Sequence, residues 1–471
     1  MNKYKTLAGN TLIFGVCNFT SKLLVFFMLP FYTSVLSKEE FGTADMINTT
    51  VGLMLPILTL GVAHGCMRFA LDKTKDVKKV FSFGVKVLVI GFLVLLLALP
   101  LVKKIPVVCD YIFYFIVLFA VHTAQQFLSL FARGINRVKL VGISGIVGSF
   151  VAVLSNVILM FVFRLGVYGY IISMIISQFV AVLILFLGGK MYLLFSRESD
   201  KTLSKDIMLY SIPMVPNTLS WWINHSVNRF ILNSYCGIAD VGLYSAASKM
   251  PTMINTFRGI FVEAWQLSTI TEYDKKDSSS FFHNIYRVYN TFLILLCSLL
   301  VVLSQLIAKV LYSKDFFEAW EFTPILLLGM LFGSLIAFYS PTYLAYKKTN
   351  KLFISTFLGA VITIVFNFIM VPKIGILGAA ITSIISNFTI YMYLKIDSQK
   401  YVQFDGNSIK YYISYLILTI QVVLISFVHI LSHGLISIGI FFVLFAINFA
   451  EFRKLFNVIV SFVINKIRKN R

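Results

Sequence analysis

Five basic side chains stand in segments that are otherwise apolar: Lys22, Arg68, Arg229, Lys249 and Arg258. A cation at the centre of a bilayer costs about 2.5–3.5 kcal/mol on insertion scales, so it faces water, an acid or a ligand there. Lysine and arginine hold phosphate oxygens by charge-assisted hydrogen bonds, and a surplus of them suits an anionic ligand. The acids available as partners are few, Asp45 and Glu263 being the main ones. Neutral polar residues accompany these charges at helical spacing. Thr11, Gly15, Asn18 and Lys22 are four, three and four apart, and Asn217, Trp221, Asn224 and Asn228 repeat that spacing. Asp45, Thr49, Gly52 and Pro56 form a third stripe, and Ser245, Lys249, Thr252 and Thr256 a fourth. Stripes of this kind line a cavity or glue helices together. Arg68, Arg229 and Lys86 lie near span ends, where a long basic side chain can instead snorkel to an interface.

The elements that must position these residues are membrane helices. The chain has 471 residues, 58% hydrophobic and only 13% charged, and the polar residues left could not cover a soluble core of that size. Apolar runs of about twenty residues recur along nearly the whole length. They are continuous rather than alternating, which excludes a β-barrel. The expected fold is therefore all-α and polytopic, with about fourteen transmembrane helices. Helix seven is placed at 208–232, helix eight at 241–265, and helices eleven and twelve at 353–371 and 374–395. The first apolar run reads as a retained signal anchor. The tail "FRKLFNVIVSFVINKIRKNR" reads as a basic amphipathic helix on the membrane surface. Loop charge then sets orientation. Roughly 28 Lys and Arg fall on one side against about 7 on the other, which places both termini in the cytoplasm.

A repeat organises the spans. "LGVYGYIISMIISQF" from Leu165 matches "IGILGAAITSIISNF" from Ile374, about 209 residues on. "RGINRVKLVGISG" from Arg133 echoes "KKTNKLFISTFLG" from Lys347, and "SKEEFGTAD" from Ser37 lines up with "GIADVGLYS" from Gly237. The organisation expected is a six-helix lobe at 1–200, a second at 201–400 and two extra helices with the tail at 401–471. Six is an even number of spans, so the copies are parallel, related by an axis along the membrane normal around a central cavity. Gly166, Gly169, Gly375 and Gly378 serve a tight turn and close helix contact. Pro213 and Pro216 in "SIPMVPN" give helix seven a bending point.

Several functions are excluded on the same grounds. The net charge of +21 is spread in small groups between spans, a topology signal and not a nucleic-acid surface. The five cysteines lie apart, without metal or redox spacing. His429 and His433 are four apart but lack a third ligand nearby, so no metal site is expected. There is no phosphate-binding loop, no Ser-His-Asp set and no carboxylate pair placed for acid–base work, so the chain reads as a non-enzyme without a cofactor.

The segments "NTLIFGVCNFTSKLLVFFMLPFYTSVLSKEEFGTADMINT", "LGVAHGCMRFA" and "NFIMVPKIGILGAAITSIISN" resemble the polysaccharide-biosynthesis flippases, O-antigen or Wzx-type, of the multidrug/oligosaccharidyl-lipid/polysaccharide exporter superfamily. The shared features are the loop "S-x-E-E-F/Y-G" and a pattern matched here by Asn367, Pro372, Gly375, Gly378, Ala379 and Ala380. The resemblance implies a carrier of polyprenyl-pyrophosphate-linked oligosaccharide in the bacterial inner membrane, working by alternating access and passing its cargo to polysaccharide polymerase machinery. It makes Lys22, Lys249, Arg68 and Arg258 the nearest counterparts of the cationic cavity residues of lipid II flippases. Na⁺ or H⁺ coupling, known in some relatives, would fall to Asn228, Asn367 and Thr382. Two other functions compete. A multidrug–cation antiporter of the same fold would want acids in the membrane, in which the chain is poor. A glycosyltransferase or polymerase would need a sizeable external loop, which the chain lacks.

Overall fold

The computed structural model describes residues 24, 26–72, 74–105, 107–198, 200–272, 278–346, 348–401, 408–427 and 433–453. The chain divides into two compact units, Met1–Ser245 and Ala246–Arg471. The repeat boundary concerns sequence kinship, whereas this division concerns packing. In the first unit α1 is Leu29–Val35, α2 Lys38–Thr59, α3 Val62–Ala70, α4 Val77–Leu97 and α5 Ile112–Gly134. There follow α6 Val138–Asn156, α7 Gly166–Leu183, α8 Lys201–Ser211, α9 Met214–Tyr235 and α10 Ile238–Ala247. The second unit holds α11 Thr252–Glu272, α12 Ser278–Leu311, α13 Ala319–Ala345, α14 Thr349–Ser398, α15 Ile409–Phe427 and α16 His433–Ile447. No strand occurs among the described residues. Among the described residues, eight helical segments are long and apolar enough to cross a membrane, or nine when the bent pair α2–α3 counts as one span. The protein is thus an all-α, multi-pass membrane protein. Ile90, Leu93 and Leu97 on α4 point outward, as lipid-facing residues do.

Local chemistry explains where the helices start and stop. Ser37 caps α2, its hydroxyl accepting from the Glu40 N–H at 3.2 Å while the Glu40 carboxylate accepts from the Ser37 N–H at 3.0 Å. This reciprocal pair satisfies two orphan donors, and it is the physical content of "SKEEFG". Phe41 then enters the core and is 2% exposed. At Leu60 and Gly61 the backbone turns left-handed, with φ of 51° and 65°, and the chain bends 61° into α3. Helix seven of the sequence reading begins only at Met214. Pro213 precedes α9 and Pro216 sits in its first turn, where a missing N–H leaves no bond unmade. Helix eight is interrupted at Ser248–Pro251, between α10 and α11, because Pro251 has no N–H to donate.

The two repeats solve the same corner the same way. Gly166 and Gly375 adopt φ of +51° and +55°, a conformation open to glycine at little cost. One turn on, a Cβ at Gly169 would lie 3.1 Å from the Leu159 carbonyl, and one at Gly378 would lie 2.6 Å from Met370 carbonyl carbon. Backbone atoms cannot yield as side chains do. Gly378→Ala is therefore expected to lower thermal stability by about 1–3 kcal/mol, the usual range for overpacking, and Gly169→Ala by less. Equal melting temperatures for the two variants in detergent would contradict this geometry.

The extra helices α15 and α16 are held to α12 by buried polar bonds. Ser298 Oγ donates to Gln421 Oε1 at 2.7 Å, and Gln421 Nε2 donates to Ser437 Oγ at 3.0 Å. Asn448 Nδ2 reaches Ser414 Oγ at 3.2 Å. Just past α16, Glu451, 2% exposed, pairs with both Arg287 and Lys410. Removing one member of a buried ion cluster leaves uncompensated charge, at a cost of about 3–5 kcal/mol when burial is complete. Arg287 and Lys410 are partly exposed, so Glu451→Ala should fall toward the low end. The triple variant Arg287→Met, Lys410→Met, Glu451→Leu should recover most of that loss in the same thermal assay.

Candidate functional site

The site grows from a contact between two helices that the repeat makes equivalent. A Cβ on Gly42 of α2 would lie 2.2 Å from the Ile238 carbonyl oxygen, and one on Gly242 of α10 would lie 2.0 Å from that of Lys38. Only two glycines let the backbones touch here. Aligning Ser37 with Gly237 makes Gly42 and Gly242 counterparts, and likewise Asp45 and Ser245. One turn beyond the glycines, Ser245 Oγ donates to Asp45 Oδ2 at 2.6 Å. Arg229 Nε of α9 donates to the same oxygen, and its NH1 donates to the His225 carbonyl at 2.9 Å.

Aromatic residues close the cluster. The Arg229 guanidinium stands 5.7 Å from the Tyr244 ring centroid, and the Tyr244 hydroxyl accepts from Asn228 Nδ2 at 2.8 Å. Trp222 Nε1 donates to the Thr49 carbonyl at 3.1 Å, seating α9 on α2. The Asp45 and Arg229 side chains are 14% and 15% exposed. In so dry a setting the pair is strongly coupled, and Arg229 has its charge met by Asp45. Chemically the cluster is a clasp joining α2, α9 and α10.

The expected site residues therefore separate. Asp45, Arg229 and Asn228 come together. Asn224 is buried on the same face of α9, while Asn217 and Trp221 lie nearer its start and are partly exposed; the Trp221 ring sits 5.1 Å from that of His225. Arg68 is exposed at the end of α3. Lys249 stands in the unwound turn between α10 and α11. Lys22 and Asn18 lie outside the described residues, as do His429, the tail from 454 and the Glu263 side chain.

Arg258 differs from Arg229. It lies on α11, and among the described residues its one hydrogen bond runs from NH1 to the Gly333 carbonyl at 3.4 Å. No described carboxylate pairs with it. A guanidinium carries five N–H donors, so most of its bonding capacity stays open. Further along α11, Phe261 stacks on Tyr289 at 3.7 Å between centroids, and Trp265 Nε1 donates to the Phe338 carbonyl at 2.7 Å.

Asn367 and Thr382 sit in the two halves of α14, both fully buried. Asn367 Nδ2 donates to the Thr363 carbonyl at 2.7 Å and Thr382 Oγ1 to that of Gly378 at 2.8 Å. Asn228, the third residue of that set, is bonded to Tyr244 in the other unit. Among the described residues no three His, Cys, Asp or Glu side chains converge as metal ligands. The sequence reading missed the partnership of Ser245 with Asp45 and the role of Tyr244. The signal for the first was present, since the "SKEEFGTAD" alignment puts Asp45 on Ser245.

Membrane-length helices, an internal repeat and ion-paired charges among the helices define a multi-pass integral membrane protein. The chain belongs to the polysaccharide biosynthesis protein family, whose profile matches residues 7–265, more than half of its length. Over 188 residues it is 24% identical to the capsular polysaccharide biosynthesis protein CapF of Staphylococcus aureus. That stretch is 39% of this chain and 47% of CapF, so the match spans about half the length of this curated relative. Among solved structures, the lipid II flippase MurJ in an inward closed conformation superposes with a TM-score of 0.68 at 18% identity, covering 94% of this chain and 100% of that one. An inward-facing multidrug resistance MATE family transporter of the MOP superfamily gives 0.66 at 14% identity, covering 81% and 95%. The fold is shared with both.

Proposed function

We propose that the protein is a flippase that moves polyprenyl-pyrophosphate-linked oligosaccharide from the cytoplasmic to the outer leaflet of a bacterial inner membrane for surface polysaccharide synthesis. Both termini face the cytoplasm in this reading, and the released glycan passes to polymerase machinery. The protein acts as a carrier without chemical turnover, and any driving ion is Na⁺ or H⁺. The observation that carries the reading is the division of labour between two arginines. Arg229 is met by Asp45, whereas Arg258 keeps open donors on a helix that also carries the stacked Phe261 and Trp265, as suits a diphosphate beside a sugar or prenyl chain. The clasp joins Asp45, two turns into α2, to Ser245 near the end of α10, and in this reading the Ser37 cap of α2 faces outward. It would close the outer side while the inner side admits cargo, and it would part for release. A cation antiporter is disfavoured because Asp45, the acid it would use, is already bonded to Arg229 and Ser245.

Deleting the gene in its host tests the reading. Lipid-linked glycan should build up on the cytoplasmic leaflet and surface polysaccharide should fall. Normal surface glycan with altered sensitivity to cationic drugs would move the protein to the antiporter branch.

A further inference from the structure

A groove of about 440 Å³ lies on α5 in the first unit and takes no part in the site above. Its floor is Phe119, Thr123 and Phe127, each four residues from the next on one face of α5. Ala120 and Ala124 beside them carry only methyl groups, and that shortage of side chain leaves the space. The walls are Val85 and Val89 of α4 and Val182 of α7. At one end the rings of Phe81, Phe186 and Phe195 close it, Phe195 standing 5.3 Å from Phe81 and 6.5 Å from Phe186 between centroids. Along its side the groove is open, for Val89 is 53% exposed beside the lipid-facing Ile90 and Leu93.

Water does not suit such a groove. A buried water needs two to four polar partners, and of the side chains that line this one only Thr123 is polar. Hydrocarbon fills it instead. From Phe81 to Phe92 the wall runs along α4 for eleven residues, about 16 Å of helix rise. That is close to one leaflet of a hydrocarbon core about 30 Å thick. An unbranched acyl chain has this length, whereas a polyprenyl chain is longer than a leaflet is deep. A cation marks where the headgroup belongs. Lys86 stands exposed three residues before Val89 on the same open flank. Ser82, next to Phe81, lines a small polar recess with Lys79 and Lys86. Glu198 holds Lys79 at 2.9 Å, and Asp200 accepts from the Leu203 N–H at 3.0 Å as the cap of α8. Lys86 makes no ion pair among the described residues. Its long stem carries the ammonium back to the interface, where a phosphate oxygen can accept from it.

We propose that this groove binds one acyl chain of an anionic phospholipid from the leaflet beside the start of α4, with the lipid phosphate on Lys86. In the orientation given above that leaflet is the cytoplasmic one. Photo-cross-linking of the full chain in nanodiscs tests the site, using phosphatidylglycerol with a diazirine on its acyl chain and mass spectrometry to map the labels. Labels should concentrate on Val85–Phe92 and Phe119–Leu128, several-fold above those at Phe150, a lipid-exposed residue of α6. Ala124→Leu fills the groove and should cut its labelling by about tenfold with Phe150 unchanged. Lys86→Gln leaves the groove's packing intact and should lower labelling by the anionic probe several-fold, with a smaller loss for a phosphatidylcholine probe. Groove labelling no higher than at Phe150, or equal in the wild type and both variants, overturns the proposal. A diazirine polyprenyl phosphate that labels the groove where phosphatidylglycerol does not also overturns it, and gives the groove to the tail of the cargo. None of these readouts involves glycan movement, so their failure leaves the transport reading untouched.

Discussion

With Asp45→Cys and Ser245→Cys combined, oxidation should reduce glycan-lipid transport to below about one-tenth, and reduction should restore it. The backbones of α2 and α10 touch at Gly42 and Gly242, and the side chains one turn on are already in contact at 2.6 Å. A disulfide needs Cβ atoms about 3.5–4.5 Å apart, so the cross-link tests whether the two helices stay as close as their touching glycines hold them. If the clasp parts once per cycle, a covalent clasp stops the cycle. Single cysteine variants control for loss of the carboxylate, and membrane insertion should be unchanged in all three. Undiminished transport after complete cross-linking, verified by mass spectrometry, would show that α2 and α10 stay together throughout. The exchange Asp45→Arg with Arg229→Asp should regain part of what either single change loses, because the pair is re-formed with its polarity reversed.

Arg258→Ala should lower transport by about ten- to a hundredfold. Hydrogen bonds to a charged group contribute about 1.5–3 kcal/mol each, and each 1.4 kcal/mol is a factor of ten in affinity. Arg258→Lys keeps the charge but loses the planar fork, so it should land between the two. Arg229→Ala should impair transport differently, through the clasp, with diphosphate affinity little changed. Measuring binding of a polyprenyl diphosphate separates the two arginines. Equal affinity in Arg258→Ala and the wild type would remove Arg258 from the binding site.

The sequence carried most of this architecture because its strongest signals are local. Hydrophobic run length gave the all-helical membrane class. "SKEEFG" spelled out a capping box in its own letters, and Gly166 and Gly375 marked corners that the backbone turns at positive φ. What the sequence read less well was the length of the polar helices. The prolines at 213, 216 and 251 were visible, yet α9 begins later and α10 ends sooner than an apolar count suggests. Breaks of this kind depend on what the freed backbone groups meet, which is a property of neighbours.

Composition and periodicity by themselves determined the class, because both are written within a span of a few turns, but not which charges are buried: Glu451, Lys395 and Asp397 are, and Arg68 is exposed. Only the tertiary structure decided which charge meets which. Asp45 and Arg229 stand 184 residues apart in the chain, and nothing local in either helix says that they pair or that Arg258 finds no described acid. Pairing of distant side chains is set by how the helices pack, and that information resides in the folded molecule.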